Sequence, residues 1–137
     1  WYTPMAALST RIATMTMAGI VTGYIYCTTA TVKDSLYMAA NAQAMARIEE
    51  TRSARWDTSS WPAVDQLVSS NFPDQTVTLD MSGTGAGIIT GLVRTVISPI
   101  TVAPAPPIRQ IRVDCIWQFR GSEMITNTIE TCRAPDQ

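Results

Sequence analysis

The chain contains no histidine among its 137 residues. That removes Ser-His-Asp triads, histidine metal sites and histidine proton relays together. Glu49 and Glu50 are adjacent, so on a helix they diverge and make a poor carboxylate pair for acid–base work. Ser82 to Gly87 (SGTGAG) is glycine-rich, but it lacks the lysine and following helix of a phosphate loop and reads as a hairpin turn. Cys27, Cys115 and Cys132 form an odd set that cannot all pair within one chain and shows no metal-ligand or haem-attachment spacing. No catalytic residue, cofactor or metal is assigned, and the chain reads as a non-enzyme. Arg11 is the residue whose chemistry demands an account, because it is the single charge between residues 4 and 32. A charge in apolar surroundings is costly unless paired or snorkelling.

The element that must hold Arg11 is a helix. Thr3-Pro4 is helix-start chemistry, with a side-chain oxygen for an orphan amide and a proline that fits the first turn. The helix is predicted from Pro4 to about Arg55, a rise of roughly 75 Å. Its first half is rich in alanine, threonine and glycine rather than leucine, a surface suited to close helix contacts. Gly19 and Gly23 lie four apart, a small-xxx-small pair that lets two backbones approach closely. The same two are the weakest points of the helix, at about 1 kcal/mol each relative to alanine. Trp1, Tyr2, Tyr24 and Tyr26 form two aromatic clusters, which would suit the two edges of a bilayer or packed helices.

The second half repeats Leu36, Ala40, Ala44 and Ile48 at helical spacing, with Lys33, Asn41, Arg47 and Glu50 off that line. The helix is expected to stop between Arg55 and Asp57, where Asp57-Thr58-Ser59-Ser60 offers cap and turn chemistry. Pro62 is expected to open a short helix to Leu67 or Val68, and Asn71 to Asp74 to turn the chain. Trp56 and Trp61 flank the helix end and are expected to cover the core.

From Gln75 the period changes to two. Val77, Leu79 and Met81 alternate with polar residues. Ile88 to Val102 reads as one bent strand or two short ones, with Pro99 arguing for an edge or bend. Ala103 to Pro107 is a stiff connector. Ile111 to Phe119 is the clearest strand, its odd positions facing the helix, and Met124 to Cys132 returns with Ile125 and Ile129 inward. The fold class is α+β: a long N-terminal α-helix and a C-terminal antiparallel sheet of three or four strands packed on its second half. The expected organisation is a hydrophobic helix half, 1–32, and a head, 33–137. Ten basic and eleven acidic side chains give a net charge of −1, and nothing suggests a nucleic-acid partner.

This layout resembles type IV pilins and the related pseudopilins across the whole chain. Locally, Ala42 to Asp57 (AQAMARIEETRSARWD) and Ile111 to Trp117 (IRVDCIW) look like stretches in bacterial proteins that carry the prepilin-type cleavage segment. A start at Trp1 agrees with removal of a leader upstream of the apolar helix. The resemblance implies a precursor anchored in the inner membrane, trimmed by a prepilin peptidase and assembled by dedicated machinery into an extracellular helical homopolymer at the cell surface. Helix first halves would bundle in its core, with local unwinding near Ala18 to Gly23, where Gly19 and Gly23 are the matching breakers. The family usually begins with phenylalanine and carries a glutamate at the fifth position, whereas this chain has Trp1 and Met5. The family often has a disulfide near its C-terminus, in the region of Cys115 and Cys132, although strand parity sets Cys132 outward and Cys115 inward. Two alternatives stand beside the pilus subunit: a pseudopilin of a type II secretion system, in a periplasmic pseudopilus, and a single-span membrane-anchored binding protein.

Overall fold

The computed structural model describes residues 3–80, 88–101, 106–119 and 121–136, with side chains from Ala7 onward. The structure is α+β: one long helix, a four-stranded antiparallel sheet and a two-stranded sheet. Helix α1 runs Thr3–Ser53, ending two residues before the expected stop. The chain divides into two compact units, Trp1–Ser35 and Leu36–Gln137. The described residues of the first, 3–35, are helix alone. The second contains the rest of α1 and six strands: β1 (Trp56–Asp57), β2 (Val64–Asp65), β3 (Gln75–Thr78), β4 (Thr90–Pro99), β5 (Arg109–Phe119) and β6 (Glu123–Arg133).

In the second unit the four large-sheet strands follow chain order, β3-β4-β5-β6, all antiparallel. Ile111, Val113, Cys115, Trp117 and Phe119 are buried and share one core with Leu36, Ala40, Ala44 and Ile48. A period of two on the strand and of about four on the helix thus bring one face of each together. Ala40 and Ala44 are fully buried in the same core as Trp117 and Phe119, whose rings meet edge to face at 6.3 Å. Strand β4 is one continuous strand. It tolerates Pro99 because β3 pairs only with residues 90–93, so the missing amide lies where no third strand needs it. Gly91 is also explained by packing: a Cβ there would stand 3.1 Å from both Cys115 Sγ and Leu79 Cδ1.

Four polar side chains, Arg47, Thr51, Thr95 and Asn127, are buried with this core, where the apolar pattern had not placed them. Arg47, expected away from the buried line, is only 7% exposed. Its Nε donates to Thr95 Oγ1 at 3.2 Å, its Nη1 to Glu50 at 2.6 Å and its Nη2 to the Pro73 carbonyl, with the guanidinium 5.5 Å from the Phe72 ring centre. Thr95 is itself buried on β4. Asn127, between the expected inner residues Ile125 and Ile129, is 2% exposed while those two are half-buried. Its Oδ1 accepts Trp117 Nε1–H at 2.9 Å, and its Nδ2 donates to Asn41 Oδ1 at 3.0 Å and to the Tyr37 carbonyl at 3.3 Å. Asn127 therefore joins β6, β5 and α1 through one amide.

The segment after α1 differs from the expected short helix at Pro62. Trp56–Asp57 instead pairs with Val64–Asp65 as a small hairpin, and a 3-10 turn follows at Ser69–Asn71. The Asp57 carboxylate gathers the Ser59 amide, the Ser59 hydroxyl and the Ser60 amide within 3.0 Å, which curls the chain into a loop before a helix can start. Arg109 then holds Asp65 through two hydrogen bonds of 2.6 and 2.7 Å, so a tertiary ion pair overrides local helix preference.

Replacing Asn127 by alanine leaves the buried Trp117 indole N–H without its acceptor. The head should lose about 1–3 kcal/mol in chemical denaturation. Arg52→Ala, which breaks only the exposed pair with Glu49, should cost less than about 1 kcal/mol. Equal losses in the two variants would contradict the bridging role of Asn127.

Candidate assembly surface

The candidate surface lies on the first unit. Between Ala7 and Ser35 no described side chain is buried, and Leu8, Ile12, Met15, Ile20, Tyr24 and Ile25 are all more than half exposed. Apolar groups at this density in water are a strong drive for association. The threonines contribute in a less obvious way. Thr14, Thr16, Thr22, Thr28, Thr29 and Thr31 each donate the side-chain hydroxyl to the carbonyl four residues earlier. A hydroxyl bonded back to its own helix has its donor satisfied, so removing water from it costs less than its residue type suggests.

Gly19 and Gly23 have open space where a Cβ would stand. Helix α1 is continuous through both, and the unwinding implied near Ala18 to Gly23 is not present in the chain as it stands. Arg11 is exposed beside Ala7, Thr10, Thr14 and Met15 on the helix surface. Trp1 and Tyr2 lie outside the described residues, as do Met81 and the glycine-rich run 82–87. Tyr24 and Tyr26 are exposed. Among the described residues no helix is long and apolar enough to cross a membrane, and no group of three side chains could hold a metal ion.

The cysteines are three free thiols. Register sets Cys115 opposite Asn127 and Cys132 opposite Gln110, one buried and the other exposed, so the structure does not bring Cys115 and Cys132 together. Burial raises the Cys115 thiol pKa above its ordinary value, which keeps it protonated and inert. Cys27 is exposed on the first unit.

A second exposed feature stands on the head. Trp56 is buried as expected, with the Arg109 guanidinium 4.4 Å from its ring centre. Trp61, expected to share that role, is instead 97% exposed in the loop between β1 and β2. The hairpin beneath it is held electrostatically. The Ser59 hydroxyl and the neighbouring amides keep the Asp57 carboxyl well below the usual carboxylate range. Arg109 lowers Asp65, and the Trp56 amide, followed by Arg133, lowers Asp136. Arg133 also donates to the Thr51 and Ala54 carbonyls at 2.9 and 2.6 Å, capping the end of α1 with a cation.

No known protein family, curated protein or solved structure matches this chain.

The three lowered carboxyls define a pH dependence. Their folded pKa values lie below the unfolded ones, so the unfolded chain binds more protons and stability rises with pH. The contribution is present above the ordinary aspartate value of about 3.9 and is lost as pH falls through the folded values. Denaturation midpoints of the head should therefore hold steady above about pH 5 and fall steeply towards about pH 2. Asp65→Asn should flatten that slope.

Proposed function

We propose that this chain is a structural subunit of a type IV pilus-like helical filament, assembled through the first half of α1 with the sheet-bearing heads outside. The observation that carries the reading is that no described side chain from Ala7 to Ser35 is buried, on a helix joined to a well-packed head. A helix surface that its own chain leaves uncovered must find cover elsewhere. Alanine, glycine and internally bonded threonine suit a second helix at close range. The layout of long helix, amphipathic continuation and antiparallel sheet supports the same reading.

In this reading the precursor is held at the inner membrane, trimmed by a prepilin peptidase and passed to assembly machinery, and the finished filament stands at the cell surface. The chain carries out no reaction. Its partners are copies of itself.

Negative-stain electron microscopy of sheared surface material from cells expressing the chain should show fibres that contain it. A monodisperse detergent-solubilised monomer with no fibres would refute the proposal. Gly19→Leu combined with Gly23→Leu should abolish fibres and leave the denaturation midpoint of the head within about 0.5 kcal/mol of the parent, since both glycines lie outside the head.

A further inference from the structure

We infer that Arg11 of one subunit pairs with Asp34 of a neighbouring copy, and that this ion pair sets the axial stagger of the filament. The inference rests on the filament reading above. Within Trp1–Ser35 the only charged side chains are Arg11, Lys33 and Asp34. Lys33 is already engaged. Neither Arg11 nor Asp34 makes a hydrogen bond or ion pair among the described residues, and both are exposed. When neighbouring helices exclude water from this surface, an isolated guanidinium and an isolated carboxylate each become costly. Pairing them across the contact offsets part of both costs at once, and no other charged side chain of the unit is left to do so.

The spacing selects the mode of association. Arg11 and Asp34 are 23 residues apart, which on an α-helix is about 35 Å along the axis and about 140° around it. Two charges on different sides of one helix cannot both be satisfied in a closed antiparallel pair, which needs them on the same side. They can be satisfied by a parallel neighbour on each side, each displaced by 23 residues, and such a contact repeats without closing.

The test is charge reversal in the full chain, read by sedimentation and electron microscopy beside the parent. Arg11→Asp alone and Asp34→Arg alone should each lower the sedimentable fraction at least about tenfold, and the double reversal should restore fibres of parental repeat. In a Cys27→Ser, Cys132→Ser background, co-assembled Arg11→Cys and Asp34→Cys subunits should form a mixed disulfide dimer in preference to either like pair. A parent chain that assembles while the single reversals assemble equally well, or while the double reversal stays unassembled and the like-pair disulfides predominate, overturns the ion pair and leaves the filament reading standing. A parent chain that never assembles overturns both.

Discussion

The structure depends on one contact: the line Leu36, Ala40, Ala44 and Ile48 of α1 set against the odd positions of β5. Each partner supplies its apolar face by its own period, and neither half of the pattern could be buried alone. Ala40 and Ala44 are as fully buried as the large residues of this core, so a longer side chain at either would have to displace its neighbours. A hydrophobic stripe fixes that contact only loosely along its length. Asn127 fixes it further, since its amide must meet Trp117 on the next strand and Asn41 and Tyr37 on the helix at the same time. A slip of β6 by one residue would turn Asn127 to the other face and orphan the indole N–H.

The end of α1 is held by charge rather than by apolar area. Arg133 closes the last carbonyls of the helix, Asp136 exchanges hydrogen bonds with the Trp56 backbone, and Arg109 clamps Asp65 while lying over the Trp56 ring. The polar C-terminal tail therefore does structural work as a latch across the start of the small hairpin. These groups sit near the surface, where individual ion pairs contribute little. Their effect comes from sharing partners: Asp136 meets both Trp56 and Arg133, and Arg133 meets both Asp136 and the helix end.

Much of this was legible in the sequence because apolar periodicity is written directly in residue types. The odd positions of Ile111 to Phe119 and the four-residue line on the helix are examples. What escaped was polar residues doing core duty. Arg47 and Thr51 continue the inner face at positions three apart from Ala44 and Ile48, but a pattern built on apolar residues passes over them. Gly91 and Thr95 obscured the alternation of β4 for the same reason, as small and polar members of an inward row. The hairpin after α1 was misread as a helix because Pro62 is a sound local signal there. Its competitors, the Asp57 turn and the Arg109 clamp on Asp65, include a partner more than forty residues away. In the first half of α1, alanine, threonine and glycine marked the surface that we propose for assembly, and Arg11 stood out by type. Asp34 did not, since nothing in its type or spacing distinguishes it from the other carboxylates of the chain.

The two halves of α1 solve one problem in opposite ways. In the head, polar groups that enter the core are matched one by one: Arg47 to Thr95, Asn127 to Trp117, Thr51 to the Ile48 carbonyl. In the first half, six threonine hydroxyls are matched inside the helix itself, and the carbonyls four residues back supply the acceptors. That device works for a hydroxyl, whose reach spans one turn. A guanidinium carries a full charge, and a bond to its own helix would not neutralise it. Once this surface is covered, Arg11 must look beyond its own chain, and the unpaired carboxylate of Asp34 requires the same of its side. The threonines make the surface cheap to bury in any register, whereas two opposite charges 23 residues apart are satisfied together in only one. In the filament we propose, general stickiness and a defined stagger would thus come from different residues on the same helix.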